Sequence, residues 1–207
     1  MSNVKLAVVY YSASGTNHKM AVAATEAAQE AGAEVRLRQV PELAPPDAIA
    51  KNPKWQAFRE ATRHVPDATL ADLDWADAYL FSVPTRFGNV AAQMKQFLDT
   101  AGPLWGQGKL ANKAVSAMAT AGNPHGGQEA TILALYNTMY HWGAVVVAPG
   151  YTDPAVYAAG GNPYGTSTVG LTDGELPGAV VEAVKAQTRR LVTVAQWVSA
   201  GRALVTA

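Results

Sequence analysis

Val4-Lys5-Leu6-Ala7-Val8-Val9-Tyr10-Tyr11-Ser12-Ala13-Ser14-Gly15-Thr16-Asn17 begins as a β-branched apolar run and turns, at Ser12, into small hydroxyl-bearing residues around a glycine. The run predicts a buried strand over Val4 to Tyr10, and the Ala-, Met- and Glu-rich stretch Asn17 to Ala31 that follows predicts a helix. The same rhythm continues downstream. Strands are expected at Glu34 to Gln39, Ala78 to Val83, Ala114 to Ala119 and Ala144 to Ala148, and helices at Asn89 to Thr100, Gly126 to Trp142 and Gly178 to Ser199. Alternating strands and helices with this spacing point to an α/β fold: a flavodoxin-like, doubly wound, five-stranded parallel sheet with helices on both faces.

Two stretches break the alternation. The segment 41–66 carries several prolines among polar residues and is expected to hold only short helical turns, and the segment 150–177 is rich in Gly, Pro, Thr and Asp. Structureless loops of that length are uncommon in compact domains unless they carry function, so both are marked as site or interface segments of one domain spanning 1–207.

Composition narrows the chemistry. Lys plus Arg (16) equals Asp plus Glu (16), so no global field favours nucleic acid or an anionic membrane. The absence of cysteine removes disulfides, thiolate nucleophiles and cysteine-based metal centres, and no metal site is expected. The N-terminal apolar run is too short for a signal peptide, and no apolar stretch approaches the roughly 20 residues of a membrane-spanning helix. A cytoplasmic location is the resulting expectation. What chemistry remains is borrowed from a cofactor or is acid–base.

In an open parallel sheet, ligands bind beyond the carboxyl ends of the strands where the winding reverses, so the loops after the first, third and fourth strands belong together. After the first, Ser12 to Asn17 enters a helix and offers backbone N–H groups, hydroxyls and the positive end of a helix dipole to a phosphate. It lacks the lysine of a P-loop and the glycine spacing of a dinucleotide fold, and suits a monophosphate. The plainer reading is that Ser14 or Thr16 caps the helix. After the third strand, Pro84-Thr85-Arg86-Phe87-Gly88-Asn89 has Pro84 to end the strand, backbone amides to hold the edge of a planar ligand, and Phe87 to cover it. Packing of Phe87 within its own domain is the plainer reading. After the fourth, Thr120-Ala121-Gly122-Asn123-Pro124-His125-Gly126-Gly127-Gln128 lets the backbone approach a flat ring closely, or is an ordinary glycine-rich turn. A phosphate at the first loop and a heteroaromatic ring between the other two is the shape of FMN.

Those loops, with Tyr10-Tyr11-Ser12, the helix Ala91-Ala92-Gln93-Met94-Lys95-Gln96-Phe97-Leu98-Asp99, Leu104-Trp105, His125-Gly126-Gly127-Gln128-Glu129 and Asn162-Pro163-Tyr164-Gly165, closely resemble the WrbA family of flavodoxin-like NAD(P)H:quinone oxidoreductases. The resemblance runs to about Gly170. It implies that Ser12, Ala13, Gly15, Thr16 and Asn17 hold the FMN phosphate, and that Thr85, Arg86, Phe87 and Gly88, with Thr120, Ala121, Gly122, Asn123 and Pro124, hold the flavin edge. It further implies that His141, otherwise a histidine favoured by its helix's C-terminal dipole, reaches the flavin site of a neighbouring subunit and acts there as the catalytic polar group. Trp105, otherwise a half-buried loop tryptophan, walls the pocket over the ring. The family's usual Met-Tyr-Gly-His after the first serine stands here as Ala13-Ser14-Gly15-Thr16, which places Ser14 where a tyrosine meets the nicotinamide, and its Ser-Thr-Gly-Thr stands as Thr120-Ala121-Gly122-Asn123.

The expected activity is two-electron reduction of a quinone by NADH or NADPH, with both flat substrates using one pocket walled by Phe87 and Trp105, and the resemblance implies a homotetramer, a dimer of dimers. The competing class is a flavodoxin-like carrier that passes single electrons from FMN to partner proteins. Such carriers are typically strongly acidic, and the formal net charge here is +0.

Overall fold

The computed structural model describes residues 3–171 and 174–205; Thr172 and Asp173 of the second long segment, and the chain ends of the 1–207 domain, lie outside the described residues. Five strand positions make the expected parallel sheet in the order β2-β1-β3-β5-β6, from Glu34–Gln39 (β2), Lys5–Tyr10 (β1), Ala78–Arg86 (β3), Ala114–Ala121 (β5) and Val145–Val146 (β6). This is the doubly wound order of a flavodoxin-like fold, and the winding reverses between β1 and β3. Helices α1 (Thr16–Glu30) and α9 (Gly178–Val205) cover one face; α5 (Ala92–Asp99) and α7 (Gln128–His141) cover the other.

Period-two alternation divides the core between these faces. Leu6, Val8 and Tyr10 of β1, Ala78 and Leu80 of β3, and Ala114 and Met118 of β5 pack with Met20, Ala24, Val184 and Leu191 under α1 and α9. Their neighbours Ala7 and Val9, Tyr79, Phe81 and Val83, and Val115, Ala117 and Ala119 pack with Met94, Phe97, Leu135 and Met139 under α5 and α7. Every residue of β5 is buried, as a central strand covered on both faces requires.

Three local expectations are corrected. The helix expected from Asn89 begins at Ala92, because Asn89–Val90 (β4) folds back antiparallel onto Thr85 and Arg86 of β3. The connecting residues Phe87 (φ 53°) and Gly88 (φ 77°) are both left-handed, which is the backbone of a type I′ hairpin turn. Pro84 does not end its strand. Its nitrogen lies past the last β1–β3 pair, Tyr10 with Ser82, so the missing N–H breaks no ladder bond.

The fifth strand, expected over Ala144 to Ala148, is shared between two pieces. Val145–Val146 pairs with the start of β5, and Ser167–Val169 (β7) pairs with its end at Ala119–Ala121. The second long segment is therefore an insertion that leaves the edge of the sheet, forms α8 (Pro154–Ala158), and returns to finish the edge. Gln187 of α9 fixes the return: its Oε1 accepts from Thr166 N–H at 2.7 Å and its Nε2 donates to Ser116 Oγ and Ala117 O at 2.8 Å each.

The first long segment holds α2 (Pro46–Ala50) and α3 (Pro53–Ala61), the latter capped by Asn52, whose Oδ1 accepts from Trp55 N–H at 3.2 Å. The glutamate at its start fastens it to the sheet. Glu42 accepts from Tyr11 OH (3.0 Å), Trp55 Nε1 (3.2 Å), Gln93 Nε2 (2.7 Å) and the backbone N–H groups of Leu43 and Ala44 (2.9 and 3.0 Å). Short helices α4 (Leu70–Trp75) and α6 (Gly102–Gly106) complete the chain.

Candidate functional site

The loop after β1 is shaped by one glycine. Gly15 is the N-cap of α1 with φ 100°, a left-handed conformation that costs other residues strain, and its N–H donates to Ser12 Oγ at 2.9 Å. The capping reading of Ser14 and Thr16 is corrected: no side chain caps α1, and no acidic residue stands in its first turn. Lys19 N–H donates to Gly15 O at 2.9 Å, and the amides of the helix start before it, with the positive dipole end, lie at the crevice.

The crevice lies at the carboxyl edge of the sheet over the winding reversal and encloses about 260 Å3. Its walls are Ser12, Ala13, Ser14, Thr16 and Asn17 from the first loop, Pro84, Thr85 and Arg86 from the end of β3, Thr120, Ala121 and Gly122 from the end of β5, and Gly170 and Leu171 from beyond β7. Most of the expected cofactor-binding residues thus converge. The donor set suits FMN: hydroxyls and an uncapped helix start gather at one end for a monophosphate, while backbone of two loops faces a slot at the other. The wall residues Pro84, Gly170 and Leu171 were not among the expected site residues. Gly170 and Leu171 come from the long insertion, whose length was its only signal, and Leu171 N–H is bonded to Thr16 Oγ1 at 3.0 Å.

The two ring-edge loops are braced against each other. Thr131 Oγ1 of α7 lies 2.7 Å from Thr85 Oγ1, and Gly127, the N-cap of α7 with φ 89°, sits so close that a Cβ there would be 2.8 Å from Gly88 Cα. Phe87, at the hairpin tip, is fully exposed in the single chain. Asn123 and Pro124 stand on the outer side of their loop. Asn123 Oδ1 accepts from His125 N–H at 3.0 Å, its carbonyl accepts from Gln128 Nε2 at 2.9 Å, and Pro124 with His125 lines a neighbouring groove.

Behind the loop after β1, α3 presses Phe58 to 3.4 Å from a Cβ built on Gly15, and the His18 ring packs between Tyr10 (5.0 Å) and Phe58 (5.7 Å). Burial, with His64 and Lys19 nearby, pushes His18 below its ordinary range and keeps it neutral at pH 7. Burial and the Glu42 carboxylate push the adjacent Tyr11 phenol up, so it serves as a donor.

Trp105 and His141 are not in this crevice. Trp105 Nε1 donates to His141 O at 2.9 Å, and His141 ends α7 beside Gly143, whose carbonyl accepts from Asn112 N–H just before β5. The eight residues of β5 separate that place from the crevice, on the order of 20 Å at about 3.3 Å per residue. Trp105 therefore does not line the crevice of its own chain.

Residues 4–154 match the family model described as NADPH-dependent FMN reductase. The NAD(P)H dehydrogenase (quinone) of Deinococcus radiodurans is 56% identical over 164 residues, 79% of this chain and 82% of that protein. The protein of the same name from Aromatoleum aromaticum is 40% identical over 207 residues, 97% of this chain and all of its own. Among solved structures, a flavodoxin, WrbA-like protein from Agrobacterium tumefaciens superposes with a TM-score of 0.65 at 21% identity, covering 94% of this chain and 99% of its own, which shows the shared fold. With a match that takes in residues 4–154, well over half of its length, this chain belongs to the NADPH-dependent FMN reductase family.

Proposed function

We propose that this protein is an FMN-dependent NAD(P)H:quinone oxidoreductase. The observation that carries the reading is the convergence of Ser12, Thr16, Thr120 and the bare start of α1 with the ends of β3 and β5 in one crevice. FMN, when bound, supplies the two-electron chemistry; the chain supplies binding, orientation and electrostatics. The first loop holds the phosphate, and the facing backbones at Thr85 to Gly88 and Ala121 to Gly122 hold the ring edge. The quinone relatives support the acceptor class, and the even balance of charge disfavours a carrier that docks on basic electron-transfer partners.

A second copy of the chain completes the pocket. Trp105 (57% exposed) of α6, bonded to the carbonyl of His141 at the end of α7, and Tyr140 (62%) and Leu133 (44%) of α7 are exposed large apolar side chains. We take this apolar stripe, interrupted at Asn137, as the association surface. In a homotetramer arranged as a dimer of dimers, it covers a neighbour's crevice, so that Trp105 and the neighbour's exposed Phe87 sandwich a flat substrate and His141 stands at the quinone oxygen as a proton donor. Ser14, exposed on the near wall, faces the nicotinamide. The family's insertions at 41–66 and 150–170 contribute the remaining subunit contacts.

Nicotinamide and quinone share one pocket on this reading and cannot be bound together, so turnover alternates between two enzyme forms. Steady-state rates measured over a matrix of NADH and quinone concentrations are expected to give parallel double-reciprocal lines. Intersecting lines would mean separate sites and a ternary complex. The cofactor released by heat is expected to be FMN; release of FAD would exclude the monophosphate loop.

A further inference from the structure

The α1-facing row of the sheet is mostly apolar, with Ser116 bonded to Gln187 as a mid-row exception, and is polar at its carboxyl end. On β3 the row reads Ala78, Leu80, Ser82, and on β5 it ends Met118, Thr120. Ser82 and Thr120 are 0% and 4% exposed, and Asn17, in the first turn of α1 above them, is 2% exposed. Buried polar groups in such a place are costly unless each finds a partner. These three find one another. Ser82 Oγ lies 3.1 Å from Asn17 Oδ1 and 3.3 Å from Asn17 O, and Asn17 Nδ2 donates to Thr120 Oγ1 at 2.8 Å.

The order of the bonds sets their direction. With Ser82 donating to Oδ1, the amide of Asn17 must turn its NH2 to Thr120, and the Thr120 oxygen then accepts. A hydroxyl has one proton and accepts separately from it, so the Thr120 proton is left for a partner outside the trio. Thr120 lines the crevice, whereas Ser82 does not. Accepting a bond also polarises the hydroxyl and strengthens the bond it gives.

We propose that Ser82 and Asn17 are positioning residues that set the Thr120 hydroxyl as a donor into the crevice, toward an acceptor atom of the bound flavin nucleotide. The proposal deepens the FMN reading and rests on it. It also adds to the meaning of Asn17: its amide oxygen and one of its two Nδ2–H donors are engaged inside the protein, so part of its contribution to the cofactor is made through Thr120. Ser82, one residue before the Val83-Pro84 step into the ring-edge loop, has no other assigned role and never touches the crevice.

The test is titration of the apoprotein with FMN, read by quenching of flavin fluorescence, beside melting temperatures of the apoprotein variants. Thr120→Val, which keeps the shape and removes the hydroxyl, is expected to weaken FMN about 5- to 10-fold, as for the loss of one good hydrogen bond. Thr120→Ser is expected to bind within about twofold of the parent, since the donor is restored. Ser82→Ala is expected to weaken FMN about threefold in the parent and to have no further effect in the Thr120→Val background, because it acts through that hydroxyl. Should Ser82→Ala fail to fold, Ser82→Cys, with its weaker donor, carries the same arm.

Unchanged affinity in Thr120→Val would overturn the proposal, since the proton would then be turned inward to Asn17. Equal, additive losses from Ser82→Ala in both backgrounds, tracking a fall in melting temperature, would also overturn it by making Ser82 a packing residue. If the parent apoprotein itself takes up no FMN, the cofactor reading fails and the proposal falls with it; if the parent binds FMN and only the variant pattern fails, the cofactor reading stands alone.

Discussion

Thr16 shows how much of the site one position carries. It is 3% exposed, begins α1, lines the crevice, and already accepts a bond from Leu171 N–H. Its hydroxyl proton is therefore directed to the crevice, where the phosphate of FMN belongs on the proposed reading. Thr16→Glu places a carboxylate and added bulk there. The helix dipole favours an acid at that end, so the charge alone does not oppose the apoprotein fold, but it repels a dianionic phosphate. FMN affinity is expected to fall at least about tenfold, equivalent to roughly 1.4 kcal/mol, in a fluorescence titration. Affinity equal to the parent's would move the phosphate elsewhere. The residues around Thr16 were legible in the sequence because small hydroxyl residues and a glycine before a helix can only cap it or bind an anion, and the loops after the third and fourth strands favoured the second use. Ser82 and Leu171 were not. A serine inside a strand carries no local mark of facing a buried asparagine, and Leu171 reaches the site only through the path of a long insertion.

Among the elements, the strands and long helices were read closely because their apolar periodicity reflects burial on one or two faces. Boundaries failed where backbone geometry overrode composition. The Phe87-Gly88 turn converts the start of an expected helix into β4, and the insertion returning through β7 halves the expected fifth strand. The segment 41–66 gave its short helices from its prolines, but its attachment rests on one carboxylate whose five donors are scattered from Tyr11 to Gln93. Glu42 is half-buried; burial disfavours its charge, yet bonds from Ala44, Gln93, Tyr11 and Leu43 outweigh this and hold its carboxyl below the ordinary range. With the folded value depressed, this contribution is present above the unfolded carboxyl range and is lost as pH falls through the folded value. Glu42→Gln is expected to cost about 1–2 kcal/mol near neutral pH, a fall of roughly 2–8 °C in Tm, from replacing a charged acceptor by an amide that meets two donors with its own NH2. The gap between parent and variant is expected to close below the usual carboxylate range. A gap that stays constant down to strong acid would mean that Glu42 acts by shape and not by charge.

For the molecule as a whole, the fold places the crevice after β1 and the Trp105–His141 pair at opposite ends of the same sheet. Sequence pattern names those residues without giving their distance, so the need for a neighbour at Trp105 emerges only from the three-dimensional arrangement. If the neighbour's stripe covers the crevice, activity depends on association. Light scattering is expected to show a tetramer at micromolar concentration, and a monomer under those conditions would remove the source of both residues. Trp105→Ala is expected to lower kcat/KM for nicotinamide and quinone alike by several-fold, about 1 kcal/mol for a lost aromatic contact, with FMN retention nearly unchanged. Loss for the quinone alone would place Trp105 on the acceptor side only. The most direct test of the central claim is the visible absorbance of the FMN-loaded protein in the absence of oxygen, followed through addition of one equivalent of NADH or NADPH and then one of a quinone. The account predicts that the flavin band bleaches with the nicotinamide and returns in full with the quinone. A band that persists with both nicotinamides, or that bleaches and is not restored by quinone, would contradict it.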